Sequence, residues 1–222
     1  MNNKTTITIL LALTLSAAAC LPHEKAPDAT PRERVGTQST NYGLSPGTRA
    51  PDANLIDPDG HPQRLSDAMG KHATAIVFYR GGWCPPCNFQ VHELAKHNAE
   101  FTSRGVNVVA ISVDKPDYAK KTIEEYGVPF TVLSDPELEA HRAFRVVDHV
   151  GGVTSTMLSG MGVSLSERSG HDHHDVAVPS IFVVDREGVV RWAHADTDYS
   201  VRPQLADVLA GIDGLHLPGG AP

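Results

Sequence analysis

One stretch, Trp83-Cys84-Pro85-Pro86-Cys87, restricts what this chain can fold into more than any other. An apolar, β-branched run precedes it (Thr74-Ala75-Ile76-Val77-Phe78-Tyr79), followed by Arg80-Gly81-Gly82. Residues 88–104, after the motif, carry apolar side chains at helical spacing. The order reads as strand, tight glycine turn and helix, with both thiols at the helix start. A helix N-terminus exposes unpaired N–H groups and a partial positive charge, and both favour thiolate over thiol. Pro85 suits the first helical turn, where no N–H is missed. The spacing predicts Cys84 on the exposed rim and Cys87 one turn deeper, close enough to form a disulfide. On this reading Cys84 attacks and Cys87 resolves. Arg80 either lowers a thiol pKa through its charge or is merely solvated. Two other uses of the motif fit less well. A zinc site needs a second ligand pair, and no cysteine follows Cys87. A structural disulfide closing so short a loop contributes little stability.

The 222 residues suit one domain with tails, and a net charge of −7 argues against nucleic acid as a partner. The third cysteine, Cys20, ends an N-terminal segment in which Lys4 precedes a short apolar run and then Ser16-Ala17-Ala18-Ala19. That pattern reads as a signal peptide over residues 1–20. Its end resembles the lipobox of bacterial lipoproteins, which implies lipidation at Cys20. The membrane would then be met only through that anchor, in a periplasm-facing lipoprotein of the outer membrane. Cleavage after Ala19 without lipidation would instead leave a soluble periplasmic or secreted protein. Residues 21–47, rich in Pro, Thr, Ser and charge, read as a disordered linker.

The folded part is expected over residues 48–214, with a flexible tail at 215–222. Residues 53–56 and 61–65 flank the turn Asp57-Pro58-Asp59-Gly60 as a small hairpin, and Ser66 or Asp67 caps a short helix. Residues 106–113 form a nearly continuous apolar strand, as inside a parallel sheet. Helices over 116–126 and 136–144 bracket a strand at 131–133. Residues 180–184 and 189–192 form a second hairpin, and 202–212 a closing helix. This order predicts an α/β fold with one central mixed β-sheet flanked by helices and an N-terminal hairpin extension.

With the motif after a buried strand and Val178-Pro179-Ser180 before the second hairpin, the chain resembles the thioredoxin superfamily, in its redoxin branch of peroxiredoxin-like and tethered thiol–disulfide oxidoreductases. The resemblance implies a thioredoxin-like fold over about residues 48–213. It also implies a cis Val178–Pro179 bond against the redox pair, and an active site of Cys84, Cys87 and Pro179 bordered by Arg80, Trp83, Pro85 and Pro86. No cofactor is implied beyond the redox disulfide. The peroxiredoxin Pro-x-x-x-Thr-x-x-Cys motif, laid here without a gap, keeps only its cysteine, at Cys87. The family's proline falls on Arg80, its threonine on Cys84 and its arginine on Pro179. Loss of the peroxide-holding groups favours thiol–disulfide exchange with a disulfide-bearing protein and an external thiol reductant; peroxide reduction is the alternative. Thioredoxin's buried aspartate falls on Phe78, so the sequence names no group to take the proton of Cys87.

Residues 148–176 read as an irregular insertion, a lid or substrate loop containing Gly170-His171-Asp172-His173-His174-Asp175. Imidazoles with thiolates suit copper or zinc, so His171, His173 and His174 define a third reading, a copper carrier. An exposed polar loop is the plainer use of the same residues.

Overall fold

A computed structural model describes residues 32–33 and 42–214. In chain order its elements are β1 (Arg32–Glu33), β2 (Asn54–Ile56), β3 (Pro62–Arg64), α1 (Leu65–Met69), β4 (Ala73–Phe78), α2 (Pro85–Lys96), α3 (Asn98–Ser103), β5 (Val106–Ser112), α4 (Pro116–Tyr126) and β6 (Thr131–Ser134). There follow α5 (Glu139–Ala143), β7 (Val147–His149), α6 (Gly152–Gly160), α7 (Leu165–Ser169), β8 (Asp175–Ala177), β9 (Ser180–Val184), β10 (Val190–Ala195), β11 (Val201–Arg202) and α8 (Leu205–Asp213).

The main sheet runs β10-β9-β4-β5-β6-β2-β3. β4, β5 and β6 are parallel, while β9, β10 and the β2–β3 hairpin join antiparallel, so the expected mixed sheet is present. β4 is buried at every position, because both of its faces carry helices. Ala75, Val77 and Tyr79 pack with Val91 and Leu94 of α2, Ala119 of α4 and Val208 of α8. Ile76 and Phe78 point the other way, against Leu65, Ala140 and Phe144. Alternation of side chains along a strand thus sorts one apolar run into two cores. The thiols lie on the α2 side.

Local rules place most boundaries. Pro116 opens α4, and Gly127, at φ 58°, closes it. The helix expected over 88–104 is broken at His97, whose Nδ1 lies 2.6 Å from Glu100 Oε1. Neither Ser66 nor Asp67 caps α1. Asp52 does so from outside the helix, its Oδ1 accepting the Ser66 N–H at 2.9 Å while Oδ2 accepts from Arg64 at 2.6 Å. The closing helix begins at Leu205, because Val201 and Arg202 pair with Arg32 and Glu33 as a short parallel ladder.

Three expectations are corrected. The domain begins earlier than residue 48. Tyr42 and Leu44 pack on the second core, and the Gly43 N–H donates to Arg145 O at 2.9 Å. The remaining readings of residues 1–31 and 34–41, with the signal segment and Cys20, and of 215–222 lie outside the described residues. Residues 148–176 are ordered rather than irregular. β7 and β8 pair antiparallel and hold α6 and α7 between them, over a small core of Val113, Leu138, Val150, Leu165 and Val176. Their helices are short and rich in Gly, Ser and Thr, which hides them from periodicity. Finally, every peptide bond among the described residues is trans, Val178–Pro179 included. The Val178 N–H donates to Val146 O at 2.7 Å, and the chain continues extended from β8 into β9.

Burial works against ionisation of Asp52, but the Ser66 N–H and the Arg64 guanidinium overcome it and hold the carboxyl at about 2 against an ordinary 3.8. A depressed carboxylate stabilises the fold above its unfolded value, and that contribution is lost as pH falls through the folded one. Asp52→Ala is therefore expected to cost about 1 kcal/mol at pH 7 in urea unfolding. The gap to wild type should narrow as pH falls from 3.8 to about 2; a gap independent of pH would contradict the assignment.

Candidate active site

β4 ends at Phe78, and the chain turns through Tyr79–Trp83 into α2. Gly81 sits at φ 136°, a conformation closed to side chains. A Cβ there would lie 2.6 Å from Trp83 Nε1 and 2.8 Å from each Asp114 carboxylate oxygen. A Cβ on Gly82 would meet Thr122 Oγ1 at 2.4 Å. Both glycines are therefore required by close approach. The loop is fastened by the Gly82 N–H donating to Asp114 Oδ2 (2.8 Å) and by Asn88 Nδ2 donating to Gly82 O (2.9 Å).

Cys84 is the N-cap of α2, with Pro85 and Pro86 in its first turn. Cys84 and Cys87 are free thiols with sulfurs 2.7 Å apart. The expected exposed rim is absent: Cys84 is 1% exposed and Cys87 fully buried. Pro85 is exposed, Pro86 is buried, and Trp83 packs on both the α2-side core and the small core of the insertion. Arg80 is buried and not solvated, its guanidinium stacked 5.4 Å from the Trp83 ring and 4.7 Å from that of Tyr199.

The cation nearest the sulfurs comes from far along the chain. Arg202 Nη2 donates to Cys87 Sγ at 3.2 Å, and its Nε donates to Gln90 Oε1 at 2.8 Å. Its Nη1 donates to the carbonyls of Tyr199 and Val201, both at 2.7 Å. This buried guanidinium has a fixed geometry. Burial disfavours charge on Cys87, but the hydrogen bond from Cys84 and the charge of Arg202 prevail, bringing its thiol down to about 6. Cys84 is pushed the other way, by the hydrogen bond it gives to Cys87 and by burial. The tertiary cation thus favours charge on Cys87, whereas helix position alone favours it on Cys84.

The same buried region holds Asp114, just beyond β5. Burial lifts its carboxyl to about 7. A cleft of about 330 Å³ opens between α2 and the start of α8, with Phe89, Gln90, Ile181, Arg202 and Leu205 in its wall. Pro179 is buried at the head of β9, and its carbonyl accepts the Asp196 N–H at 3.4 Å.

The histidines of the insertion serve its fold. His173 Nδ1 accepts the Asp175 N–H at 2.8 Å and Nε2 faces Pro136 O at 3.1 Å, so neither nitrogen is left for a metal. His174 lies between Ser155 and Ser166, and His171 pairs with Glu137 at 3.1 Å. Among the described residues no three His, Cys, Asp or Glu side chains are grouped as metal ligands.

The family model described as AhpC/TSA matches residues 46–193, more than half of the chain. The chain belongs to the AhpC/TSA family. Similar family relatives include a peroxiredoxin candidate of Mycobacterium tuberculosis (36% identical over 101 residues, 46% of this chain and 64% of the relative). Thiol-disulfide oxidoreductase ResA of Bacillus subtilis is 33% identical over 104 residues, 46% of this chain and 57% of the relative. Peroxiredoxin Bcp of Escherichia coli is 33% identical over 103 residues, 46% of this chain and 65% of the relative. The chain thus spans about six-tenths of the length of the curated relatives it matches. The crystal structure of peroxidoxin BcpB from Mycobacterium tuberculosis has the same fold, with a TM-score of 0.61 at 18% identity, over 78% of this chain and 99% of that one. The fold is therefore that of the thioredoxin-like peroxiredoxins.

Arg202 and Asp114 escape a reading of the sequence around the motif. Arg202 lies 115 residues from Cys87, and in the sequence it reads only as the start of the closing helix. For Asp114 a signal exists: it is a charge just past a fully apolar parallel strand, the end at which α/β sites gather. Replacing Arg202 with Met should raise the pH at which Cys87 becomes reactive by about one to two pH units. Alkylation by iodoacetamide, read at Cys87 by peptide mass, measures this; an unmoved inflection would contradict the role of Arg202.

Proposed function

We propose that the Cys84–Cys87 pair passes electrons from an external thiol to a small hydroperoxide, with Cys87 attacking and Cys84 resolving. The observation that carries this reading is the Arg202 guanidinium on the Cys87 sulfur. It favours the thiolate and, at the same place, offers hydrogen bonds to a peroxide oxygen as the O–O bond breaks. Pro179 does not supply the arginine of peroxiredoxins, but Arg202 puts an equivalent charge at the sulfur. Enclosure of both sulfurs also favours a small substrate, and Arg202, which holds Cys87 Sγ, is itself in the wall of the cleft beside α2. Cys87–S⁻ attacks one peroxide oxygen, giving Cys87–SOH and an alkoxide that takes up a proton. The Cys84 thiol then condenses with the sulfenic acid, releasing water and forming the disulfide. Two equivalents of external thiol restore the dithiol by exchange. The two sulfurs complete this chemistry without a further cofactor.

A second reading, disulfide exchange with a protein substrate, draws support from the similarity to ResA and from the ready closure of a Cys84–Cys87 disulfide. It needs Cys84 to be uncovered. For either reaction we place the protein in the bacterial envelope, on the strength of the apolar segment and lipobox-like sequence ending at Cys20.

Single-turnover peroxide consumption by the reduced chain separates the two. Cys87→Ser should slow it by about a thousandfold or more, while Cys84→Ser should retain the first turnover and stop at the sulfenic acid. Retention of peroxide consumption by Cys87→Ser and its loss in Cys84→Ser would overturn the assignment.

A further inference from the structure

Asp114 is fully buried, and none of its hydrogen bonds reaches another side chain's donor. Oδ2 accepts the Gly82 N–H, and Oδ1 has no hydrogen-bond partner among the described residues. The indole nitrogen of Trp83 is also buried without a hydrogen-bond partner among the described residues. The Gly81 geometry puts the Trp83 nitrogen and both Asp114 oxygens around one point directly beneath the redox loop. Leaving a buried carboxylate oxygen unpaired is costly, and protonation relieves the cost.

The charged and titratable groups that face Asp114 come from four elements. Arg168 of α7 lies 3.9 Å from Oδ2, outside hydrogen-bond distance, and draws the carboxyl toward ionisation. Cys87 of α2 and Asp117 of α4 push it toward protonation, and Tyr79 at the end of β4 feels its charge in turn. Cys87 is the one of these whose charge the redox cycle changes.

We propose that Asp114 exchanges a proton with the redox cycle, protonated while the Cys84–Cys87 pair is reduced and ionised once the disulfide has formed. This rests on the dithiol–disulfide reading above, and it names the group that the motif itself lacks. The balance closes. Cys84–SH, Cys87–S⁻ and the Asp114 carboxylic acid give the disulfide, the Asp114 carboxylate, two protons and two electrons. A hydroperoxide takes up those two electrons and two protons to leave an alcohol and water. One proton comes from Cys84 and the other from Asp114. Burial is the main reason that this acid holds its proton and the Cys87 charge adds to it; oxidation removes that addition and, with Arg168 and the Gly82 N–H still in place, shifts the group toward ionisation.

The test uses the full chain. An infrared difference spectrum between the reduced and hydroperoxide-oxidised wild type at pH 7 should show loss of one protonated-carboxyl stretch, and Asp114→Asn should lack that signal. The asparagine keeps an oxygen for the Gly82 N–H, so an anchoring role alone survives the substitution. In the same variant the pH profile of Cys87 alkylation should change from two inflections to one, and peroxide reduction at pH 7 should slow by about tenfold or more. If the disulfide forms in the wild type with no change in the carboxyl region, the assignment of Asp114 is wrong and the redox reading stands. If peptide mapping finds no Cys84–Cys87 disulfide after oxidation, the redox reading itself fails and the Asp114 assignment with it. The wild-type spectrum decides even if the variant does not fold.

Discussion

A buried guanidinium against a buried sulfur is the contact on which this site depends. Thiolates in apolar surroundings are disfavoured, and Cys87 has no exposure to water. Arg202 offsets that burial at 3.2 Å, and the Cys84 sulfur, 2.7 Å away, also favours a thiolate at Cys87 through the hydrogen bond the two sulfurs share. Arg202 is itself costly to bury, and that cost is met by Gln90 and two backbone carbonyls. The short β11 segment and the first turns of α2 are thereby joined through one charged group. Because a guanidinium donates in a fixed plane, the sulfur it holds is also oriented.

The second constraint is steric. The turn from β4 to α2 passes so close to Asp114 and Thr122 that two successive glycines are needed. That closeness puts an acid beneath the loop and keeps it from water. Arg168 reaches the same acid because the insertion docks on the start of α4. The Lys115 N–H donates to Arg168 O at 2.8 Å, and the Tyr118 hydroxyl donates to Glu167 at 2.6 Å. The residues between β7 and β8 therefore belong to the electrostatics of the site, and their histidines serve to fold them.

Much of this was legible in the sequence, and for local reasons. The apolar runs of β4, β5 and β9, the glycine pair and Pro85 each dictate nearby backbone, and the sheet and the place of the thiols follow. The order of elements carried the fold class. What escaped depends on distance along the chain. Arg202 meets Cys87 only through the closing of β11 onto α2, and Asp114 meets Gly82 only because β4 and β5 are neighbours. The two cysteines show the same limit: position on a helix favours a thiolate at Cys84, whereas a tertiary cation favours one at Cys87.

The most direct measurement of where the charge lies is a pH titration of the ¹³Cβ shifts of Cys84 and Cys87 in the reduced, cysteine-labelled chain. The account predicts that Cys87 ionises at about 6 while Cys84 stays protonated through neutral pH. Ionisation of Cys84 first, with Cys87 remaining a thiol, would contradict it.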